Sequence, residues 1–423
     1  MSFLRKIKVA GGLFLATMTY IVISSHITIN TDSVFNTSTV TSVSAGNKAA
    51  NIALVKRHNL FKTNLKKALH QYFNKSIDAG IIIGAGVSIV HGDSILISDG
   101  FGKRTIDKRA SIDGETIFRL GSISKGFAGV LMASLQGEGK LDWEDRVVDH
   151  LPEFQFGDSI HTKKIKLSHL LSHTTGTPYH SYTNLVEAGV PVEKITERFK
   201  DLKPISSPGT MYSYQNAMFS LSQEVVKKVT GQEVNTLLEN KFFIPLGMTS
   251  VSMEHTALVS AENVALPHAK RHKKWRSLPL TDKYYNAVVA GGINASALDM
   301  AKWMRFLLGH HPEVLQPKTI EQVFNPFIGI NNNNKYYQRW PNHEKSYYGY
   351  GWRIHALKNE ASQRKKTIWH HGGSVNNYRN EIALYPEDDL GICVLFNGNN
   401  RLAKTVIPDV YEIVSEVYNQ IYL

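Results

Sequence analysis

The sequence predicts an α/β fold in which one sheet is assembled from distant segments and a mainly helical subdomain is inserted between them. Three observations support this prediction: strand patterns lie near residue 90, helical periodicity dominates residues 122–308, and strand patterns return after residue 348. The chain has 423 residues, of which 42% are hydrophobic and 20% charged, so it can bury a large core. This composition excludes a disordered or collagen-like chain.

Local patterns define the predicted elements in order along the chain. A first helix is predicted from apolar residues at helical spacing, namely Phe61, Leu65, Leu69 and Phe73. Two strands at residues 87–90 and 94–98 flank a tight turn at His91-Gly92-Asp93. A helix of about four turns follows Ser122. Further helical patterns cover residues 167–172, 217–229, 234–242, 298–308 and 406–418. Strand patterns cover residues 348–354, 367–370, 381–385 and 391–397, and surface loops are predicted at residues 271–276 and 331–334.

The N-terminal segment has the pattern of an export signal. Arg5, Lys6 and Lys8 precede the uncharged residues 9–25. Either a cleaved signal peptide or an uncleaved transmembrane anchor fits this pattern. We favour the anchor, although its length lies at the lower end of the roughly 17–25 residues that span a membrane. In both cases the rest of the chain is expected in the periplasm or cell envelope, held at the inner membrane if the anchor is kept.

We therefore divide the chain into three parts. Residues 1–25 are the signal or anchor, residues 26–52 are a flexible tether rich in Ser, Thr and Asn, and residues 53–423 are the folded domain.

Charge and cysteine content limit the partners. The net charge of +12 fits nucleic acid or an anionic membrane. However, nine Lys and Arg residues and a single acid, Asp32, lie within residues 1–70, which therefore hold +8 of this charge. The charge distribution supports a membrane-proximal protein and removes the basis for nucleic-acid binding. Cys393 is the only cysteine, which excludes an intramolecular disulfide, a Cys-rich zinc site and an iron–sulfur cluster. We predict no metal or other cofactor.

Ser122 and Lys125 form a Ser-x-x-Lys pattern where a loop is predicted to enter a helix. Residues at i and i+3 lie on one helix face, with Cβ atoms about 5–6 Å apart. A desolvated lysine has a lowered pKa and can assist a serine nucleophile. Taken alone, the pattern is more typical of a helix-capping serine beside a solvated lysine.

Two further segments carry candidate chemistry. Tyr214 and Asn216 form Tyr-x-Asn, which offers a phenol for proton transfer and an amide to orient a substrate. A buried tyrosine that caps a turn would also explain this pattern. The segment His371-Gly372-Gly373-Ser374 is predicted at a strand end, where glycines let a substrate lie close to the backbone. A strand-end turn with a bystander histidine is the alternative. We find no Gly-x-Ser-x-Gly or His-Glu-x-x-His, which argues against an α/β-hydrolase and a zinc hydrolase.

Together and in this order, the three segments resemble the serine β-lactamase and penicillin-binding protein superfamily. The resemblance is to the branch that contains class C β-lactamases, D-Ala-D-Ala carboxypeptidases, D-aminopeptidases and related esterases. It runs from about residue 60 to about residue 418 and includes residues 167–176, 245–248 and 348–352. The resemblance implies a central antiparallel sheet flanked by helices, with an inserted mainly helical subdomain, and a hydrolase that forms an acyl-enzyme.

The resemblance also implies roles for individual residues. Ser122 would be the nucleophile, Lys125 its proton-transfer partner and Tyr214 the general base. Asn216 would hold the substrate amide, and the backbone N–H groups of Ser122 and Ser374 would form the oxyanion hole. His371, followed by Gly372 and Gly373, occupies the first position of the family's Lys-Thr-Gly triplet.

The histidine at position 371 is a departure from the class C pattern. A largely neutral histidine binds a substrate carboxylate more weakly than a lysine does, which argues against efficient β-lactamase activity. Two functions stay open. One is a serine hydrolase of a D-amino-acid peptide, a β-lactam or a small ester. The other is a catalytically silent envelope protein that binds peptidoglycan or a partner.

Overall fold

The computed structural model describes residues 48–331, 334–358 and 366–423. The predicted signal or anchor and most of the predicted tether lie outside these residues. The first helix begins at Lys48, before residue 53 where we expected the folded domain to start. In the described part of the chain, no helix is both long and apolar enough to cross a membrane.

The described residues form twelve strands and fourteen α-helices. The strands are β1 (Gly84–His91), β2 (Ser94–Gly102), β3 (Ile117–Arg119), β4 (His268–Arg271), β5 (Lys274–Ser277), β6 (Asn294–Ser296), β7 (Ile328–Gly329), β8 (His343–Tyr348), β9 (Arg353–Leu357), β10 (Lys366–Val375), β11 (Tyr378–Tyr385) and β12 (Leu390–Phe396). The helices are α1 (Lys48–Asp78), α2 (Ser124–Gly137), α3 (Val147–His150), α4 (Ser159–Thr162), α5 (Leu167–Leu171), α6 (Thr183–Glu187), α7 (Val192–Thr196), α8 (Asn216–Thr230), α9 (Val234–Leu238), α10 (His255–Ser260), α11 (Val288–Gly291), α12 (Ala297–Leu307), α13 (Pro317–Glu321) and α14 (Val406–Tyr422).

Eight strands form one antiparallel sheet in the order β2-β1-β12-β11-β10-β9-β8-β7. The early hairpin β1–β2 pairs with the last strand of the chain, so that Ser88 lies opposite Cys393. The segment between β2 and β7 is mainly helical and contains α2 to α13. These features confirm the predicted α/β class, with a central antiparallel sheet and an inserted helical subdomain.

Helices cover both faces of the sheet. Successive residues of a strand point to opposite faces. In β12, Ile392 and Val394 therefore pack with α1 and α14, while Cys393 and Leu395 pack with α2 and α12. Leu65 and Leu69, predicted on the core face of the first helix, are fully buried there. The site described below lies on the α2 side of the sheet.

The structure corrects three local predictions. The strand predicted at residues 348–354 is wrong, because β8 ends at Tyr348 and β9 begins at Arg353 after a turn. Gly351 in that turn has φ 82°, and a Cβ there would lie 2.3 Å from the carbonyl oxygen of Lys125. The basic segment 271–276 contributes to the β4–β5 hairpin rather than being only a loop. Part of the asparagine run at 331–334 lies outside the described residues.

The third correction concerns the strand predicted to end at His370. β10 continues to Val375, because Gly372 pairs with Glu381 and Gly373 with Asn380 of β11. The segment His371-Gly372-Gly373-Ser374 therefore lies inside a strand of the sheet, rather than at a strand end.

Candidate active site

Ser122 lies in a single 3₁₀ turn, Gly121–Ile123, that leads directly into α2. The turn begins at Gly121, which has φ 59°. A Cβ at this position would lie 2.7 Å from the backbone nitrogen of Ser374, so glycine allows the turn and β10 to touch. Ser122 is partly exposed and Ser374 is exposed. The turn that carries Ser122 therefore packs directly against Ser374 of β10.

Lys125 is the second residue of α2 and is fully buried. Its Nζ donates to Asn216 Oδ1 at 2.7 Å and to the carbonyl oxygen of Ala290 at 2.8 Å, and it lies 3.5 Å from Ser122 Oγ. Burial, followed by the nearby Arg353 cation, holds the pKa of Lys125 well below its usual value. The alternative of a solvated lysine is therefore wrong for this position.

Tyr214 and Asn216 approach the same two residues from the start of α8. The Tyr214 hydroxyl hydrogen-bonds with Ser122, and its ring centroid lies 4.8 Å from Lys125 Nζ. Burial raises the pKa of Tyr214 to about 12, against the opposing effects of Arg353 and of the bond with Ser122. Asn216 uses both ends of its amide within the protein, because Nδ2 donates to the hydroxyl of Tyr284 at 2.9 Å while Oδ1 accepts from Lys125.

The two glycines of β10 have different surroundings. A Cβ at Gly373 would lie 1.9 Å from the carbonyl oxygen of Leu120, so the strand can pack on the Ser122 turn only as glycine. A Cβ at Gly372 would instead lie 2.8 Å from the Tyr336 hydroxyl and 2.9 Å from a carboxylate oxygen of Glu381, on the other face of the sheet. Gly373 therefore allows β10 to pack against the Ser122 turn, whereas Gly372 makes room for Tyr336 and Glu381 on the opposite face of the sheet.

His371 is fully buried, whereas Ser122 is partly exposed and Ser374 is exposed. Its Nε2 lies 3.0 Å from the Tyr348 hydroxyl, and its Nδ1 lies 2.8 Å from the carbonyl oxygen of Gly372. Its ring centroid is 6.4 Å from that of Tyr214. Burial, and then the charges of Arg353 and Lys125, hold the pKa of His371 well below its usual value, so the ring is neutral.

Comparison with known proteins shows the family of this chain. A sequence profile of the family described as Beta-lactamase matches residues 69–412. The chain belongs to the beta-lactamase family. Protein flp of Staphylococcus aureus (strain N315) is 23% identical over 379 residues, which are 85% of this chain and 71% of that protein. Unguisins hydrolase ungD' of Aspergillus campestris (strain IBT 28561) is 24% identical over 350 residues, which are 78% of this chain and 61% of that protein.

Solved structures share the fold of this beta-lactamase family member. The octameric penicillin-binding protein homologue from Pyrococcus abyssi has a TM-score of 0.68 and 22% identity, over 81% of this chain and 77% of that chain. EstCE1, a hydrolase with promiscuous acyltransferase activity, has a TM-score of 0.70 and 19% identity, over 84% of this chain and 99% of that chain. The predicted superfamily resemblance is confirmed.

One charged residue near the site of this beta-lactamase family member, Arg353, was not predicted from the sequence. Its guanidinium lies 5.3 Å from the ring centroid of Tyr337 and 5.9 Å from that of Tyr348. None of the described carboxylates lies within salt-bridge distance of it, and its Nε is buried without a hydrogen-bond partner. Arg353 follows the turn 348–352, and its sequence context gave no signal of a role. Within the described residues, no cluster of His, Cys, Asp or Glu is arranged to hold a metal ion.

Proposed function

We propose that this protein is a serine hydrolase, in which an amide or ester substrate acylates Ser122. The observation that carries the proposal is the environment of Lys125. A neutral amine has two N–H bonds and one lone pair. Asn216 Oδ1 and the carbonyl oxygen of Ala290 accept both N–H bonds, at 2.7 and 2.8 Å. The lone pair is then left for the proton of Ser122 Oγ, which lies 3.5 Å away.

This arrangement supports the following sequence of acylation and deacylation at Ser122. Ser122 Oγ attacks the substrate carbonyl carbon while Lys125 takes its proton, and the N–H groups of Ser122 and Ser374 bind the oxyanion. Each such donor contributes about 10²–10³ in rate. Tyr214 is protonated at neutral pH and gives its proton to the leaving group as the bond between the acyl carbon and the leaving group breaks. Lys125 then returns the serine's proton to Tyr214. Water then attacks the acyl carbon, and its proton passes to Ser122 Oγ as the ester bond breaks. In this proposal Lys125, rather than Tyr214, is the base.

The substrate class follows from the charges near the site. His371 is buried and neutral, so position 371 of β10 provides no cation for a substrate carboxylate. Arg353 carries a charge without an ion-pair partner among the described residues, close to Tyr348. We propose substrates that carry a carboxylate near the scissile bond, a class that includes D-amino-acid peptides. The unguisins hydrolase among the relatives supports hydrolysis in general.

Labelling tests the nucleophile. A fluorophosphonate or a fluorescent penicillin should label the purified protein at Ser122, and Ser122→Ala should abolish the label. A turnover panel of nitrocefin, D-Ala-D-Ala peptides, D-aminoacyl amides and p-nitrophenyl esters then identifies the substrate. Absence of both labelling and turnover in a folded protein would reject the hydrolase and favour a silent protein that binds peptidoglycan or a partner.

Arg353→Met tests the substrate class. For a substrate with a free carboxylate, kcat/KM should fall about 10- to 100-fold, as expected for the loss of a hydrogen-bonded charge. The methyl ester of the same substrate is the control, and its kcat/KM should be unchanged. An equal loss on both substrates would reject carboxylate recognition by Arg353.

Export to the envelope also stays a prediction, since it depends on residues 1–25, which lie outside the described residues.

A further inference from the structure

His173 has an unusual backbone conformation beside the candidate site. It follows α5 and has φ 59°, in the left-handed region that few residues other than glycine adopt. Its side chain is 2% exposed. The sequence pattern at residues 167–176 contributed to the family resemblance, but the reaction described above uses none of these residues. A strained, buried histidine at this place therefore needs a reason.

His173 holds the chain on both sides of Tyr214. Ser213 N–H donates to the carbonyl oxygen of His173 at 2.9 Å, and Gln215 N–H donates to His173 Nδ1 at 3.2 Å. The ring of His173 also packs against the Tyr214 ring, with a centroid distance of 4.2 Å. Because the residues before and after Tyr214 are both tied to His173, the direction of the phenol depends on it.

The second ring nitrogen of His173 begins a chain of hydrogen bonds to β10. Its Nε2 lies 3.2 Å from the Tyr348 hydroxyl, which lies 3.0 Å from His371 Nε2. His371 Nδ1 then lies 2.8 Å from the carbonyl oxygen of Gly372. His173, Tyr348 and His371 are all buried. The chain therefore joins the Tyr214 segment to the strand that contains Gly373 and Ser374.

Only one assignment of hydrogen-bond donors and acceptors is compatible with all the hydrogen bonds of this chain. Gln215 N–H occupies the Nδ1 lone pair of His173, so the neutral ring carries its proton on Nε2 and donates to the Tyr348 oxygen. Tyr348 then donates to His371 Nε2. At the other end, a carbonyl oxygen can only accept, so His371 Nδ1 must carry the proton. Both ends of the chain thus require the same tautomer of His371.

We propose that His173 is a positioning residue, which directs Tyr214 toward Ser122 and, through Tyr348, fixes His371 with its proton on Nδ1. The effect on catalysis depends on the proposed hydrolase function. The His371 proton anchors the Gly372 carbonyl oxygen, and so orients the backbone that continues to the Ser374 N–H. The acid that serves the leaving group and one donor of the oxyanion hole are therefore aligned by the same buried chain.

Two substitutions separate this role from packing. Tyr348→Phe removes only the hydroxyl that links the two histidines. His173→Asn suits a left-handed backbone and can still accept from Gln215 N–H, but its side chain is too short to reach Tyr348. Tyr72→Phe is the matched control, because it removes a hydroxyl that donates to Asp409 at 2.6 Å on the α1–α14 side of the sheet.

The expected kinetic result is a loss of kcat without a loss of binding. On a substrate from the turnover panel, Tyr348→Phe and His173→Asn should each lower kcat about 10-fold, with KM within about 2-fold, and Tyr72→Phe should change neither. The double variant should lose no more than the worse single variant, because both break one chain. Losses that multiply in the double variant, or that fall on KM alone, would overturn the proposal.

A spectroscopic measurement is independent of turnover. In wild-type protein labelled with ¹⁵N-histidine, the nuclear magnetic resonance signals of His371 should show a protonated Nδ1 and an unprotonated Nε2, and Tyr348→Phe should change this state. A proton on Nε2 in the wild type would overturn the chain. A wild type with the Nδ1–H state that shows neither probe labelling nor turnover on any panel substrate would instead support the chain and reject the proposed hydrolase.

Discussion

Replacing Glu381 with glutamine should remove a pH dependence of the unfolding free energy that arises from this one buried carboxyl group. Glu381 lies on β11, is fully buried, and faces the side opposite Ser122. Its Oε2 accepts from the Tyr336 hydroxyl at 2.7 Å and lies 2.8 Å from His370 Nε2, and Arg379 forms an ion pair with Oε1. These partners do not fully replace the water that the carboxylate loses on burial.

The magnitude follows from the pKa. Burial raises the pKa of Glu381 from 4.5 to about 7, although Arg379 and the Tyr336 hydroxyl oppose the shift. The folded state therefore holds this proton more tightly than the unfolded state does. Stability from this group is fully present below pH 4.5 and is lost as the pH rises to about 7. Since each pH unit of difference corresponds to about 1.4 kcal/mol, the loss is about 3 kcal/mol.

Urea unfolding at a series of pH values between 4 and 8 is the assay. The buried histidines near Glu381, including His355 and His370, have lowered pKa values and make stability rise with pH in both proteins. The difference between wild type and Glu381→Gln isolates the carboxyl. Relative to the variant, the wild type should lose about 3 kcal/mol of unfolding free energy across this range. If the unfolding free energies of the two proteins change in parallel with pH, burial does not raise the pKa of Glu381, and the reasoning is refuted.

Three other predictions test the site and the core. Gly373→Ala would place a Cβ 1.9 Å from the Leu120 carbonyl oxygen, so the rate of fluorophosphonate labelling should fall by about 100-fold or more, whereas Gly137→Ala, whose Cβ meets only a side chain at 3.6 Å, should leave it unchanged. Leu65→Ala should lower the unfolding free energy measured in urea by about 2–5 kcal/mol, since Leu65 is fully buried on the core face of α1, and a loss under 1 kcal/mol would contradict that packing. Cys393 is buried and its thiol pKa is raised, so Ellman's reagent should react only after unfolding, and rapid reaction of the native protein would show that β12 is not covered.

Local patterns predicted much of the fold, because they depend on neighbours in sequence. The β1–β2 hairpin, α2 and α8 each carry a periodicity or a turn that needs no distant partner. The course of β10 could not be predicted in the same way. Its glycines resemble a strand end, and only pairing with β11 and contact with Leu120 show why the strand continues.

In the candidate site too, local sequence patterns predicted some features, and contacts between distant segments determine the others. The spacing of Ser122 and Lys125 predicted their proximity, and the structure also places Tyr214 and Asn216 beside them. The environment of His371 was not predictable, since its complete burial and its hydrogen bond with the Tyr348 hydroxyl depend on distant parts of the chain. Arg353 was missed for a similar reason, because its lack of an ion-pair partner among the described residues is recognised only when its neighbours in space are known.

The pairing of β1 with β12 also sets when the site can form during synthesis. Ala85 pairs with Phe396, and Gly121 touches Ser374, so the nucleophile turn and the strand that completes it are more than half the chain apart. Contacts at such separations are slow to form, because a long loop must close before they contribute any stability. A nascent chain that has emerged only as far as α13 contains Ser122, Lys125 and Tyr214, but it lacks Ser374, the second oxyanion donor of the proposed reaction. If the proposed hydrolase mechanism holds, nearly the whole polypeptide must therefore emerge from the ribosome before Ser122 becomes reactive.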